Sequence, residues 1–196
     1  MHVAQTKSIF STVIDLPKNS HIFDFSKGFD LLELEQHRWG IGKYNEKRPH
    51  GYDTPLFEGK RNIHMGVDLF APIGTPVKSF FDGKIYLFGY NEQAGDYGYT
   101  VVTEHTLDGL TLYALYGHLN KSSIIDKGVG RPIRSGETLG WTGDRHENGG
   151  WSPHVHFQLS YHRPDKPDMP GVVSDEQLPF ALLKYPDPRL VLGRLY

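Results

Sequence analysis

"WSPHVHFQLS", residues 151–160, alternates polar and apolar side chains from His154 onward. Strict alternation predicts a half-buried β-strand, because successive side chains point to opposite faces of a sheet. His154 and His156 then share one face, with Cα atoms about 7 Å apart. At that separation two imidazoles can approach one metal ion. A solvated polar face is the other interpretation of an isolated His-x-His pair.

Turn-forming residues separate apolar runs on the N-terminal side of this strand. Asp82-Gly83 and Asp108-Gly109 lie between apolar runs, which predicts tight hairpins, and two short strands are expected around Ser135-Gly136. The 22 Gly and 13 Pro favour short strands over long helices. We therefore predict a mainly β fold, a single antiparallel domain whose central sheet carries a cleft.

The segments on either side of this core are less regular. We expect an edge strand at 8–14, one short helix within 26–39 capped by Ser26, and a long ordered loop at 40–61 that forms one wall of the cleft. No other helix of any length is expected.

We therefore predict that the chain is organised in three regions. Residues 1–60 form an N-terminal extension, 61–162 the core, and 163–196 a tail that packs on the sheet.

Composition excludes several classes of protein. The net charge is −2 with no basic block, so nothing indicates binding to nucleic acid or to a membrane surface. There are no cysteines, so a transition metal must be held by His and carboxylate groups. The N-terminus lacks a secretory signal pattern and no stretch could span a bilayer, so we expect a cytoplasmic protein. The oligomeric state is not indicated.

A second segment, "IHMGVDLF", repeats the polar face of the opening stretch. As a strand it places His64, Gly66 and Asp68 on one side, and Gly66 keeps a side chain away from the space between the other two. Two or three His with one carboxylate suit Zn²⁺. His118, at the end of "LYALYGHL", is a third polar element near a strand end. Each motif taken alone is also compatible with surface or structural histidines.

In this order "HMGVD", "LYGHL" and "SPHVHFQ" resemble the motifs of the lysostaphin-type, LytM-like zinc metallopeptidases, over about residues 60–162. The resemblance implies a fold of the duplicated hybrid motif type and one Zn²⁺ per chain. It also implies His64, Asp68 and His156 as zinc ligands, with His118 and His154 as the catalytic pair.

Within that family the chain looks most like the peptidase-like domain fused to class III aminotransferases, from about residue 50 onward. The implied activity is hydrolysis of a peptide or other amide bond by metal-activated water, with a small intracellular amide or short peptide as the expected substrate. A zinc-bound module without catalysis and a peptidoglycan endopeptidase are the alternatives. A cupin-type oxygenase is disfavoured, because no Glu occurs between His156 and Glu176.

Two further features border these motifs. His105 ends a strand opposite His118 in the predicted hairpin, so it could support the site or only the fold. The run Asn148-Gly149-Gly150-Trp151 could bring backbone N–H groups to a substrate, with Trp151 as a wall, or could be a plain turn.

Overall fold

β-strands dominate the computed structural model, which describes residues 9–196. The helices are α1 (Leu31–Gln36), α2 (Leu178–Lys184) and α3 (Arg189–Leu192). The strands are β1 (His21–Ile22), β2 (Gly40–Gly42), β3 (Glu46–Lys47), β4 (Ile63–His64), β5 (Val67–Phe70), β6 (Pro76–Lys78), β7 (Gly83–Asn91), β8 (Gly98–Leu107), β9 (Leu110–Leu119), β10 (Pro132–Ile133), β11 (Thr138–Trp141), β12 (His154–Ser160) and β13 (Val172–Val173).

An eight-stranded sheet organises the chain, in the order β1-β2-β5-β12-β9-β8-β7-β10. Every neighbouring pair in it is antiparallel except β1 and β2. A two-stranded sheet pairs β6 with β11, and a three-stranded sheet has the order β13-β4-β3. The prediction of a mainly β, antiparallel fold is confirmed.

The two predicted Asp-Gly hairpins have different outcomes. Asp108-Gly109 joins β8 to β9, with φ of 48° and 81° at its two residues, as a tight hairpin turn requires. The prediction of a hairpin at Asp82-Gly83 is wrong, because the flanking strands β6 and β7 do not pair with each other. Strand β6 pairs with β11, and β7 pairs with β8 and β10. A Cβ on Gly83 would lie 2.3 Å from the Glu104 carbonyl oxygen, so close packing between strands explains the glycine there.

Strand β12 lies at the centre of the main sheet and is buried on both faces. Val155, Phe157 and Leu159 belong to the largest apolar cluster. The histidine face is buried as well, so the expectation of a half-buried strand is wrong. At Gln158 that face is covered by the C-terminal tail, because Gln158 Nε2 donates to the Pro170 carbonyl at 3.2 Å.

The N-terminal extension differs from its prediction in two places. No strand forms over 9–14, and Ser8 lies outside the described residues. Ser11 N donates to the Phe80 carbonyl and Lys78 N to the Val13 carbonyl, so the segment is bound to the core without forming a strand. The predicted helix is shorter than 26–39, and its cap is Asp30, whose carboxylate accepts from the first-turn amides.

Two more expectations about the flanking segments are corrected. The region 40–61 is not a continuous loop, because it contributes β2 to the main sheet and β3 to the three-stranded sheet. Helix α2, in the tail, is one residue longer than α1, so the N-terminal helix is not the only one. Among the residues described, no helix is long and apolar enough to cross a bilayer.

Candidate metal and catalytic site

His64 and Asp68 come together through a break in the chain. The prediction of one strand through this segment is wrong: β4 belongs to the three-stranded sheet and β5 to the main sheet. At the break Met65 N donates to the Gly171 carbonyl of the tail at 2.8 Å. The two side chains nevertheless converge, with His64 Nε2 3.1 Å from Asp68 Oδ1.

Strand register brings the remaining histidines to the same place. His156 on β12 lies opposite Asp68 on β5 and opposite Gly117 on β9. His118 therefore follows directly at the next position of β9. Its φ is 62°, a left-handed conformation that is rare for a residue with a side chain and is found mostly where the surrounding structure enforces it.

Three donor atoms form a triangle. His64 Nε2, His156 Nδ1 and Asp68 Oδ1 are separated by 3.0, 3.1 and 3.2 Å. All three side chains are buried, and they are the one group of this kind within residues 9–196. A tetrahedral zinc at its usual bond lengths separates its ligand atoms by about 3.3 Å. The donor set and its spacing therefore fit a zinc ion.

The other ring nitrogens of these two histidines have acceptors. His64 Nδ1–H donates to the Lys43 carbonyl at 2.9 Å, and His156 Nε2–H donates to Gln158 Oε1 at 2.9 Å. Carbonyl oxygens only accept, so these nitrogens carry the protons. The lone pairs of His64 Nε2 and His156 Nδ1 are thereby left for a metal, as in many metal sites.

His118 and His154 are oriented in the same way. His118 Nδ1–H donates to the Asn148 carbonyl at 2.7 Å, and His154 Nδ1–H donates to the Ser152 carbonyl at 2.6 Å. Their ring centroids are 4.3 Å apart, and His154 Nε2 lies 3.6 Å from Asp68 Oδ1. The two Nε2 lone pairs therefore lie beside the donor triangle as proton acceptors.

Burial sets the charge state of the site. It lowers the pKa of His64 to about 4, with the Arg48 guanidinium adding to the effect. Burial also lowers the pKa of His154, and it lowers that of His118 well below the ordinary value with the help of the neighbouring histidines. For Asp68 burial acts in the raising direction, yet His64 and Arg48 hold the carboxyl pKa well below its usual range. Neutral imidazoles and an ionised carboxylate are the forms that bind zinc.

Arg48 is a part of the site that the sequence analysis missed. Only 2% of it is exposed. Its guanidinium donates to Asp68 Oδ2 at 2.8 Å, to Glu46 Oε2 at 3.0 Å and to the Tyr52 hydroxyl at 3.0 Å. It also lies 4.7 Å from the ring centre of Phe25. Asp68 Oδ2 is thus occupied while Oδ1 faces the histidines. No local sequence pattern links Arg48 to Asp68, because the two residues lie 20 positions apart.

Asn148 has a different role from the one considered for its turn in the sequence analysis. Its side chain is fully buried, and its Oδ1 accepts from the backbone amides of Gly150 and Trp151 at 3.1 and 3.0 Å. Those two amides are therefore occupied within the turn and do not point to a substrate. The turn instead holds His118 through the Asn148 carbonyl.

Side-chain packing explains the roles of Gly66 and His105, which the sequence analysis singled out. A Cβ on Gly66 would lie 2.5 Å from the His156 ring, so this glycine makes room for a donor side chain. His105 lies away from the cleft: its ring bonds to Thr103 Oγ1 at 2.6 Å and to the Asp82 carbonyl at 3.0 Å. His105 supports the fold.

A cleft of about 550 Å³ opens over the donor triangle. Its walls come from the stretches 29–34, 48–61, 95–97, 150–152 and 166–172. His64, Asp68, His118, His154 and His156 all line it. Five separate stretches of chain thus enclose one polar centre.

Antiparallel β-sheets that bring two histidines and an aspartate together at the spacing of a metal site, with two more histidines beside them, are typical of a metallopeptidase. Residues 62–167 match the family described as Peptidase family M23. The chain belongs to this family.

Relatives and solved structures agree with this assignment. The chain is 34% identical over 116 residues to lysostaphin of Staphylococcus staphylolyticus, covering 58% of this chain and 22% of that protein. It is 36% identical over 116 residues to the glycyl-glycine endopeptidase ALE-1 of Staphylococcus capitis, covering 58% of this chain and 29% of that protein. The matched region thus spans less than a third of each of these relatives. The catalytic domain of lysostaphin from Staphylococcus simulans superimposes with a TM-score of 0.50 at 27% identity, covering 78% of this chain and 97% of that chain.

Proposed function

We propose that this chain is a zinc hydrolase that cleaves a peptide or small amide bond, with one Zn²⁺ held by His64, Asp68 and His156. The observation that carries the proposal is the buried donor triangle with edges of 3.0 to 3.2 Å, in which both imidazoles have their protons directed elsewhere. Zinc bound there would bring the pKa of a coordinated water toward about 7 and polarise a carbonyl group.

The two remaining histidines supply proton transfer. We assign proton acceptance to His154, because its Nε2 lies near the donor triangle, 3.6 Å from Asp68 Oδ1. We assign stabilisation of the developing oxyanion to His118 once its Nε2 has taken up a proton, because in the structure its ring proton lies on Nδ1 and is donated to the Asn148 carbonyl. Tyr52 is a further donor for this charge: its hydroxyl accepts from Arg48, which leaves the phenol proton free, and burial raises the pKa of Tyr52 to about 12.

The region 61–162 serves as the catalytic core in this proposal, and the flanking segments complete the cleft. Phe29 and Tyr52 from the N-terminal side line the cleft, as do Met169 and Gly171 from the tail. A zinc-bound module without catalysis would need no base beside the metal. The presence of His118 and His154 with free Nε2 lone pairs supports an enzyme.

Peptides of the bacterial cell wall are the second candidate substrate. The observation that favours them is that relatives include a DD-carboxypeptidase/endopeptidase of Neisseria meningitidis and a peptidoglycan DD-endopeptidase of Vibrio cholerae. Small amides and short peptides suit a cleft of about 550 Å³ with several enclosing walls.

Metal analysis and a parallel activity assay test the proposal. Protein purified without chelators or a nickel column should contain about one zinc per chain, and His64→Ala or Asp68→Ala should lose it. The zinc-loaded protein is then assayed on cell-wall sacculi, on short peptides and on small amides. No zinc, with none taken up on addition, would refute the metal site. Zinc without hydrolysis of any substrate would favour the non-catalytic module, and efficient lysis of sacculi would favour the wall hydrolase.

A further inference from the structure

Four aromatic side chains form one connected group in the cleft, which we call the aromatic wall: Phe29, Tyr52, Phe57 and Trp151. Ring centres are 6.2 Å apart for Phe29 and Tyr52, 5.9 Å for Tyr52 and Trp151, and 4.8 Å for Tyr52 and Phe57. Phe57 is buried, whereas the other three are partly exposed. Segments far apart in sequence thus present ring surface to one space.

The aromatic wall borders the reactive centre. The Trp151 ring packs edge-on against His118, with 6.3 Å between ring centres. The Tyr52 hydroxyl accepts from the Arg48 guanidinium, which also holds Asp68. A group bound against these rings would therefore lie next to a bond being cleaved at the donor triangle.

Trp151 carries an unused hydrogen-bond donor at this place. Its Nε1 is buried and has no hydrogen-bond partner among residues 9–196. A buried N–H without an acceptor is costly, since it has lost its bonds to water. Because this N–H has no exposed surface, the part of Trp151 that is offered to a bound group is its ring.

We propose that the aromatic wall is a specificity subsite for a bulky apolar side chain next to the scissile amide. The chain would then favour leucine-like or aromatic residues over oligoglycine, in contrast to the relative named as a glycyl-glycine endopeptidase. Glycine offers no side chain to cover the rings, whereas burying an apolar group against them releases water. Two guanidinium groups adjoin the wall: Arg48 is paired with Glu46 and Asp68, and Arg61 lies 5.9 Å from the ring centre of Phe57 and donates to the Leu56 carbonyl. This inference rests on the proposed hydrolase function.

The test compares two peptides with blocked ends: pentaglycine, and the same peptide with leucine at its centre. The zinc-loaded full chain is incubated with each, and mass spectrometry gives both the rate and the bond cleaved. We expect kcat/KM to be at least about tenfold higher for the leucine peptide, the size of effect that filling an apolar pocket usually gives.

Matched variants test whether the preference for the leucine peptide depends on the aromatic wall. Trp151→Ala should reduce the ratio of kcat/KM between the two peptides toward unity. Trp141→Ala is the control, because Trp141 is 38% exposed and does not line the cleft. If Trp151→Ala proves unstable, Phe29→Leu serves in its place, because Phe29 belongs to the wall and is partly exposed. Phe180→Leu is its control, because Phe180 is 69% exposed and does not line the cleft.

The outcomes separate this inference from the proposed function. Equal kcat/KM for both peptides overturns the subsite and leaves the hydrolase standing. If neither peptide is cleaved, the hydrolase proposal fails for peptides, and calorimetric titration of the same two peptides then decides the subsite. Affinity about tenfold higher for the leucine peptide supports it, and equal affinity or no binding overturns it. Identical effects of Trp151→Ala and Trp141→Ala would remove Trp151 from the subsite.

Discussion

Arg48→Lys is the most informative single change near the proposed metal. Arg48 makes four hydrogen bonds through three nitrogens: to Asp68, to Glu46, to the Tyr52 hydroxyl and, at 3.4 Å, to the Lys43 carbonyl. Lysine keeps the positive charge but has one nitrogen on a flexible chain, so it cannot reproduce the planar fork of donors. The change therefore tests geometry separately from charge.

The charge of Arg48 and the geometry of its hydrogen bonds affect zinc binding in opposite directions, so the two must be tested separately. Removing the positive charge would strengthen the attraction between Asp68 and a cation, whereas losing the hydrogen bond to Oδ2 frees the carboxylate to rotate. With the charge retained, we expect zinc affinity to fall by about 10- to 100-fold, the usual effect of losing a group that orients a ligand. Losing one or two hydrogen bonds to charged groups should also reduce the free energy of unfolding by about 2–4 kcal/mol.

Two measurements on the same preparation check this prediction. Zinc affinity is obtained by competition with a chelator of known affinity, and the free energy of unfolding of the metal-free protein by urea denaturation. Arg131→Lys is the matched control, because Arg131 is 41% exposed and pairs with Glu137 at the surface at 2.7 Å. Exposed pairs contribute about 1 kcal/mol or less, and this pair lies outside the cleft lining.

Zinc affinity in Arg48→Lys equal to that of the unmodified chain would show that the hydrogen bond to Asp68 Oδ2 does not orient the carboxylate. Tighter binding in that variant would mean that repulsion between Arg48 and the metal outweighs orientation. Either result refutes the reasoning. A loss of stability without a loss of affinity would assign Arg48 to the fold alone.

Three other predictions follow from the site. His118→Ala and His154→Ala should each keep zinc but lower kcat by about a hundredfold or more, measured with metal analysis on the same sample; loss of metal would mean that they are ligands. Gly66→Ala should weaken zinc binding, because the new Cβ would lie 2.5 Å from the imidazole of His156, whereas Gly128→Ala, in open space, should not. Because the folded-state pKa of His64 is lowered to about 4 from 6.5, His64 alone should cost the metal-free protein about 3 kcal/mol of stability as pH falls from 6.5 to 4. The lowered pKa values of His118 and His154 add to this loss; urea denaturation measures it, and a flat profile would contradict it.

The sequence alone determined the features that depend on local periodicity and turn chemistry. Alternation over His154–Ser160 predicts a strand and places its two histidines on one face, since side chains alternate with a period of two. Asp108-Gly109 predicts a hairpin because both residues tolerate positive φ. The resemblance to the lysostaphin-type metallopeptidases implies His64, Asp68 and His156 as the ligand set, and the structure brings their donor atoms within 4.8 Å of one another.

Only the tertiary structure decided what depends on contacts between distant segments. A hydrophobic pattern does not specify which strand pairs with which, so β6 could be placed beside β11 only from the fold. Burial of the histidine face depends on the tail, whose Pro170 carbonyl accepts from Gln158. Arg48 is the clearest case: a charged residue in an irregular segment is usually solvated, and its burial became visible only when Asp68 and Glu46 were seen to surround it. Periodicity is encoded by neighbours in sequence, whereas the pairing of a buried charge is encoded by neighbours in space.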